Sequence, residues 1–496
     1  MQLQDLKKLK SGTDIRGVAV GTPEQITLTD QAVTLIVKGF LKWLSQKSGK
    51  THLKIAVGND SRISAERITS CVKSACITSG ADFVYTGLSS TPSMFILLKE
   101  SDFLCDASIM ITASHLPYDR NGLKFFTPDG GLDSKDIDEV LYCAAQGNFL
   151  SGEGKCADKS FMDEYCKILV AKVEKECGIL PLKGKKIIVD AGNGAGGFFT
   201  ENVLKPLGAD TTGSQFLEPD GRFPNHIPNP EDKQAIDSLS RAVIREKADL
   251  GIIFDTDVDR AACVDENGGE INRNALIALV SAILLKDKKG VIVTDSVTSN
   301  GLTEFIESIG GKHLRFKRGY KNVIGKCVEL NESGTYSPLA IETSGHAAFK
   351  ENYYLDDGAY LITKILICLS NQAKDNKSLT SLIENLKRPA EEGEVRISFN
   401  GNSADFKAEG KKVIEDLKNL AQSKENMQLA PDNYEGVKFT TNFGTVIVRM
   451  SVHDPVMPIN FESDDVGGTK LVACQLLEIL SAYRFLELEN LTNYTL

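Results

Sequence analysis

Three stretches of the chain repeat one pattern, a short apolar run that ends abruptly in small and polar residues. They are Leu53-Lys54-Ile55-Ala56-Val57-Gly58-Asn59-Asp60-Ser61, Lys186-Ile187-Ile188-Val189-Asp190-Ala191-Gly192-Asn193-Gly194 and Gly290-Val291-Ile292-Val293-Thr294-Asp295-Ser296. Runs of this length, rich in Ile and Val and bounded by Gly, Asn and Asp, read as buried strands. Each is followed by a stretch that reads as helix, such as Ala65 to Gly80. A second apolar strand then ends in a polar loop: Thr112-Ala113-Ser114-His115, Asp255-Thr256-Asp257-Val258-Asp259-Arg260 and Glu342-Thr343-Ser344-Gly345-His346. Strands alternating with helices imply mainly parallel α/β layers, and ligands in such sheets collect at the carboxyl ends of strands. Three diverged copies of one unit, each with a polar loop at a strand end, could surround one shared cleft.

After about Pro389 the character changes. Val395 to Phe399 and Gly444 to Met450 alternate as half-buried strands, with helix-like stretches around Ala404 to Leu420 and Asp464 to Leu480. This reads as a smaller α+β domain. With 496 residues the chain has room for roughly three or four domains. The expected divisions are 1–155, 156–269, 270–388 and 389–496.

Charge narrows the partners. Lys and Arg number 57 against 67 Asp and Glu, a net charge of −10, and no long basic run stands out. Nucleic acid and anionic membrane are therefore not expected as partners. The longest apolar run, around Ala275 to Leu285, is too short to span a bilayer. Met1 to Lys10 is charged and lacks an apolar signal core. Eleven cysteines lie scattered without paired or metal-like spacing, as expected of buried free thiols in a reducing compartment. A cytoplasmic protein, monomer or homodimer, is the expectation.

The loops carry the chemistry. In Ser108 to Phe126, the run Ile109-Met110-Ile111 reads as a buried strand, and Pro117 with Asn121-Gly122 reads as forcing a loop. Ser114 beside His115 on that loop could be a nucleophile with a polar neighbour, or an ordinary turn. Asp255, Asp257 and Asp259 alternate after the strand-like Gly251-Ile252-Ile253-Phe254. Carboxylates so close repel one another, which suits a hard divalent cation such as Mg²⁺ with places left for phosphate or water. Arg260 could then hold phosphate near the metal. Glu342, Ser344 and His346 offer groups suited to vicinal sugar hydroxyls. The basic cluster Lys312 to Lys321, which includes Lys317, could contact phosphate or form a solvated face.

Taken together and in order, these motifs resemble the α-D-phosphohexomutase family, which includes phosphoglucomutases, phosphomannomutases and phosphoglucosamine mutases. Gly12-Thr13-Asp14-Ile15-Arg16-Gly17 is similar to the family's N-terminal motif. Thr112-Ala113-Ser114-His115 with Pro117 resembles the phosphoserine loop, and Asn121-Gly122-Leu123-Lys124 its extension. Asp255 to Arg260 is similar to the magnesium loop and Glu342 to His346 to the sugar-specificity loop. The resemblance implies three related mixed or parallel α/β domains and a fourth α+β domain around a central cleft. It also implies interconversion of hexose 1-phosphate and hexose 6-phosphate, for glucose and/or mannose. Ser114 would carry the phosphoryl group, with hexose 1,6-bisphosphate as intermediate and activator. By the same resemblance Ser114, Asp255, Asp257 and Asp259 would hold Mg²⁺. Arg16, Arg260 and Lys124 would stabilise the equatorial oxygens of the transferring group or help move the proton, and His115 would orient the substrate.

Two departures stand out. The family usually has Asn where this chain has Leu116, and its Arg-x-Ser-Gly-Thr-Glu-Pro phosphate motif aligns with Arg449-Met450-Ser451-Val452-His453-Asp454-Pro455. Arg449 and Ser451 are kept for phosphate, and His453 replaces a neutral donor with a group that gains charge below its usual pKa of ~6.5. Three alternatives stay open. One is a phosphoglucosamine mutase, whose loop often has Gln where Thr343 stands. The others are a haloacid-dehalogenase-like phosphatase using Asp255 as nucleophile and a non-catalytic phosphosugar-binding relative.

Overall fold

The computed structural model describes residues 1–100, 102–400, 405–451 and 455–496. The chain packs into two compact units, 1–276 with 344–381 and 277–343 with 382–496.

The first sheet of the first unit runs Lys10–Ser11, Asp14–Val18, Arg120–Thr127, Ala107–Ile111, Lys54–Asn59, Asp82–Leu88, Cys156–Asp158, with Gly130–Gly131 paired to Arg120–Thr127. Ala107–Ile111, Lys54–Asn59, Asp82–Leu88 and Cys156–Asp158 are mutually parallel, and the other pairings are antiparallel. Ala107–Ile111 is buried along its whole length, as a continuous apolar run in a sheet covered on both faces should be. Helix Asp30–Ser48 covers this sheet. Its Thr29 side chain accepts a hydrogen bond from Ala32 N, and Val33, Ile36, Val37, Phe40 and Leu44 form its buried stripe.

Asn121 and Gly122 do not form a loop. They lie inside strand Arg120–Thr127, and Gly122 is required there for a steric reason. A Cβ at this position would sit 2.2 Å from Ile15 O and 2.8 Å from Thr112 O. The missing side chain lets three backbones crowd together; no turn is involved.

The second sheet has the order Glu270–Ile271, Ala261–Asp265, Leu250–Phe254, Ile187–Asp190. Ile187–Asp190 is parallel to Leu250–Phe254, which forms an antiparallel hairpin with Ala261–Asp265. The aspartate loop is the tip of that hairpin. Helix Lys233–Glu246, capped by Asp232, buries Ile236, Leu239 and Val243 against the sheet. After Ile187–Asp190 the expected regular helix is reduced to a π-helical turn at Thr200–Leu204, because the glycine-rich 192–197 run is poor helix material. Helix Gly358–Lys374 also belongs to this unit, with its cap Asp357 accepting from Tyr165 Oη at 2.7 Å.

In the second unit, Lys312–Arg315, Val291–Thr294 and Leu339–Ile341 are parallel neighbours. The C-terminal sheet is antiparallel, ordered Met427–Leu429, Gly436–Thr441, Gly444–Arg449, Val456–Ser463, Glu391–Phe399, Leu486–Glu487. Helices Phe406–Ser423 and Gly468–Leu480 pack Val413, Leu417, Val472 and Leu476 onto it. Gly444–Arg449 is not half-buried as its alternation suggests, since Thr445 to Arg449 are all buried. Its second face is covered too, with Thr445 Oγ1 accepting from Asn300 Nδ2 at 3.0 Å.

All eleven cysteines are free, although Cys156 and Cys474 are exposed. Among the described residues no helix is long and apolar enough to cross a membrane.

One buried pair makes the second sheet's stability pH-dependent. His226 Nε2 lies 3.0 Å from both Asp190 oxygens, and its Nδ1 lies 2.9 Å from Ile227 O. With an acceptor at each ring nitrogen, both must be protonated, so the fold selects the imidazolium. Burial pulls the pKa down, but Asp190, the Ile227 carbonyl and Asp232 outweigh it and the net shift is upward. A raised folded pKa gives stabilisation that is complete below the unfolded value of ~6.5 and lost as pH rises through the folded value. His226→Gln should therefore be destabilising below about pH 6.5, with the gap to wild type narrowing as pH rises above that value. Thermal melts across pH test this, and a gap that stays constant would refute the imidazolium.

Candidate active site

Ser114 follows strand Ala107–Ile111 and adopts φ 51°, the left-handed region. Thr112 Oγ1 accepts its backbone N–H at 2.9 Å, fixing the turn. Ser114 Oγ donates to Asp255 Oδ2 at 3.2 Å and lies 3.2 Å from His115 Nδ1. Behind the loop, the Arg62 guanidinium donates to the carbonyls of Ser114, Leu116, Pro117 and Arg120. Leu116 thus contributes its backbone carbonyl to this contact.

Asp255, Asp257 and Asp259 are completely buried, and each brings a carboxylate oxygen within 4.8 Å of the others. Lys124 Nζ is 2.5 Å from Asp259 Oδ2 and 3.5 Å from Asp257 Oδ2. Thr91 Oγ1 donates to Asp257 Oδ2 at 2.5 Å, and Arg260 N donates to Asp255 Oδ1 at 3.2 Å. Burial, then Asp259 and Asp257, push the Asp255 carboxyl well above its ordinary pKa. Burial acts the same way on Asp259, but Lys124 and Arg260 win and hold it below the ordinary carboxylate range. Asp257 Oδ1 and Asp259 Oδ1 meet no hydrogen-bond donor among the described residues. Three buried carboxylates with oxygens this close, two of them keeping an unsatisfied oxygen, are the hard donor set that Mg²⁺ takes. The residues fit the ion. The loop is also strained, because β-branched Val258 sits at φ 66°. Its carbonyl accepts from Gly358 N at 3.0 Å, so helix Gly358–Lys374 helps hold that conformation.

Arg260 Nε donates to His346 Nε2 at 2.9 Å. That nitrogen must carry a lone pair, which puts the ring proton on Nδ1, 3.2 Å from Asp356 Oδ2. Arg16 Nη2 pairs with Asp14 Oδ2 at 2.9 Å. Burial, followed by the charges of Arg260 and Arg16, drives the His115 pKa down to about 2, so His115 is neutral. Ser344 is buried in the same unit.

The first unit therefore brings together Ser114, His115, Lys124, Arg16, Arg260, His346 and the three aspartates. Glu342, Lys317, Arg449 and Ser451 belong to the second unit. There Glu342 Oε1 accepts from Gly319 N at 2.6 Å, and Asp295 Oδ2 accepts from Thr343 N at 3.0 Å and Thr343 Oγ1 at 2.6 Å. Arg449 Nη1 lies 3.8 Å from Glu435 Oε1, while Glu435 Oε2 accepts from Ser296 Oγ at 2.5 Å and Arg318 N at 2.9 Å. Lys317 is exposed, and Ser451 N donates to Val456 O at 3.0 Å. His453 lies outside the described residues.

Sequence reasoning missed Thr91, Arg62, Asp356 and Glu435. Arg62 had a signal, since it directly follows the Asn59-Asp60-Ser61 turn at a strand end. Thr91 had none, because nothing in Ser90-Thr91-Pro92 beyond a helix start points to an aspartate 166 residues away.

Three family models match in chain order. They are the phosphoglucomutase/phosphomannomutase alpha/beta/alpha domain I over 7–149, domain II over 163–269 and domain III over 272–388. A phosphoglucomutase of Neisseria meningitidis serogroup B is 30% identical over 474 residues, 95% of this chain and 96% of that protein. A probable phosphoglucosamine mutase of Methanocella arvoryzae is 29% identical over 457 residues, 90% of this chain and 95% of that one. The crystal structure of a phosphoglucomutase/phosphomannomutase family protein from Burkholderia thailandensis shares the fold, with TM-score 0.79 and 24% identity. It covers 97% of this chain and 98% of that one. The chain belongs to the α-D-phosphohexomutase family and is a mutase, an intramolecular phosphotransferase.

Proposed function

We propose that the enzyme interconverts hexose 1-phosphate and hexose 6-phosphate, with glucose and/or mannose as the sugar. Ser114 carries the phosphoryl group and hexose 1,6-bisphosphate is the intermediate and activator. The observation that carries this reading is Ser114 Oγ at 3.2 Å from Asp255 Oδ2, at the edge of a buried carboxylate cluster that also holds Lys124. Phosphoryl transfer asks for positioning and charge neutralisation more than for covalent chemistry by the protein, and this arrangement offers both.

Asp255, Asp257 and Asp259 would hold Mg²⁺ together with the Ser114 oxygen. When bound, the ion supplies neutralisation of charge on the transferring group. The side chains do the rest. Lys124, Arg16 and Arg260 stabilise the equatorial phosphoryl oxygens. Neutral His115 orients substrate as a hydrogen-bonding group without adding charge. Glu342, Ser344 and His346 select the sugar, and Arg449, Ser451 and Lys317 hold its non-reacting phosphate. Domain divisions near 155, 269 and 388 go with this reading. The free thiols suit the reducing cytoplasm in which we place the enzyme.

Phosphoglucosamine mutase is the second reading, supported by the Methanocella relative. Against it, the Thr343 hydroxyl is already committed to Asp295. Coupled assays with the 1-phosphates of glucose, mannose and glucosamine decide between them, and a preference for glucosamine would reverse the assignment.

Ser114→Ala should lower turnover by on the order of 10³-fold or more and abolish the phosphorylated protein seen by intact mass. Turnover at the wild-type level would remove Ser114 from the mechanism. Asp257→Asn should weaken Mg²⁺ activation at least about tenfold, and wild-type activity that survives exhaustive chelation would exclude the metal role. With its pKa near 2, His115 stays neutral across the working range. His115→Asn should then lower kcat while leaving the inflections of the pH profile between about pH 5 and 8 in place. Loss of an inflection in that variant would show that His115 titrates.

A further inference from the structure

Arg62 heads the large side chains that are fully buried, at 2% exposed. A guanidinium in that position must find a partner for each donor or destabilise the fold heavily. Its partners are concentrated on one segment. Nη2 donates to Ser114 O at 2.5 Å and Leu116 O at 2.6 Å, and Nη1 to Pro117 O at 2.7 Å and Arg120 O at 2.9 Å. Nε forms an ion pair with Asp60 Oδ2 at 3.2 Å, and Asp60 Oδ1 accepts from Arg62 N at 3.0 Å.

The segment it binds has little structure of its own. Within it the backbone bonds are Leu116 N to Ala113 O and Arg120 N to Pro117 O, and Pro117 has no N–H to give. Ser114 holds a left-handed φ that an L-residue does not prefer. A planar fork that takes four carbonyls at once over-determines the path of the loop, which a single local bond cannot do.

A second element packs against Arg62. The Phe223 ring stands 5.3 Å from the guanidinium carbon. A Cβ on Gly221 would fall 2.4 Å from Ile63 N and 2.6 Å from Arg62 Cα. The 220–223 loop, which is attached to the aspartate-bearing sheet, thus seats against the backbone that aims Arg62.

We propose that Arg62 is a positioning residue for phosphoryl transfer. Its guanidinium, paired with Asp60 and facing the Phe223 ring, sets the backbone of 114–120 so that Ser114 Oγ points at the carboxylate cluster. The assignment rests on the reading of Ser114 as the phosphoryl carrier. Arg62 is buried behind the loop and acts through Ser114. It should therefore affect kcat and the phosphorylation of Ser114, and leave substrate affinity alone.

Arg62→Lys tests this, because Lys keeps the charge opposite Asp60 but cannot spread donors over four carbonyls. Expressed per folded molecule, kcat with glucose 1-phosphate should fall by about 10- to 100-fold. KM should stay within about threefold, and the rate at which glucose 1,6-bisphosphate phosphorylates Ser114, read by intact mass, should fall in parallel with kcat. Arg62→Gln should show the same split with a larger loss. Wild-type kcat per folded molecule in Arg62→Lys, with only a lowered melting temperature, would make Arg62 merely structural and overturn the proposal. A raised KM at unchanged kcat would overturn it as well. Ser114→Ala measured alongside separates the two readings. If that variant turns over normally, the carrier assignment fails. If it is inactive while Arg62→Lys matches wild type, only the role of Arg62 fails.

Discussion

Three carboxylates have been placed where water cannot reach them, and the surrounding site follows from that. With oxygens within 4.8 Å of one another, each like-charge pair repels by about 3 kcal/mol at an effective dielectric constant of about 20. Three such pairs amount to roughly 10 kcal/mol, comparable to the whole stability of a domain. The loop therefore exists only because positive charge is gathered around it. Lys124 arrives from a strand of the first sheet, Arg260 from the hairpin itself, and Thr91 donates to Asp257 from a helix start. The unequal response of the aspartates, Asp255 raised and Asp259 lowered, records how unevenly that charge is shared.

Much of this was legible in the chain. The buried strands at Lys54–Asn59, Ala107–Ile111, Ile187–Asp190, Leu250–Phe254 and Val291–Thr294 are found where the apolar runs place them, because full burial on both faces leaves a continuous signature. Polar loops directly after such strands were legible for the same reason, and they include the aspartate loop and the Ser114 turn. Their order along the chain was enough to point to the family.

What could not be read depends on tertiary contact. Asn121-Gly122 looks like a turn because those residue types usually make one, yet Gly122 serves close packing inside a strand. The alternation in Gly444–Arg449 suggested a solvated face, but that face is covered by side chains distant in sequence. Arg62 is marked in the chain only by its place after the Asn59-Asp60-Ser61 turn, which says nothing of what it holds. Its importance lies in four carbonyls more than 50 residues away, and backbone acceptors leave no mark in a sequence.

The chain order of the charged residues bears on how the protein is made. Lys124 precedes Asp259 by 135 residues, Ser114 precedes Asp255 by 141, and His346 follows Arg260 by 86. During synthesis the chain emerges from its amino terminus, so the strand that carries Lys124 leaves the ribosome before the acidic hairpin. The most repulsive element of the chain is thus made after its main counter-ion. His346 and Gly358 arrive later and lock a loop whose charge is by then largely neutralised. The reverse order would leave three unscreened aspartates waiting on a nascent sheet.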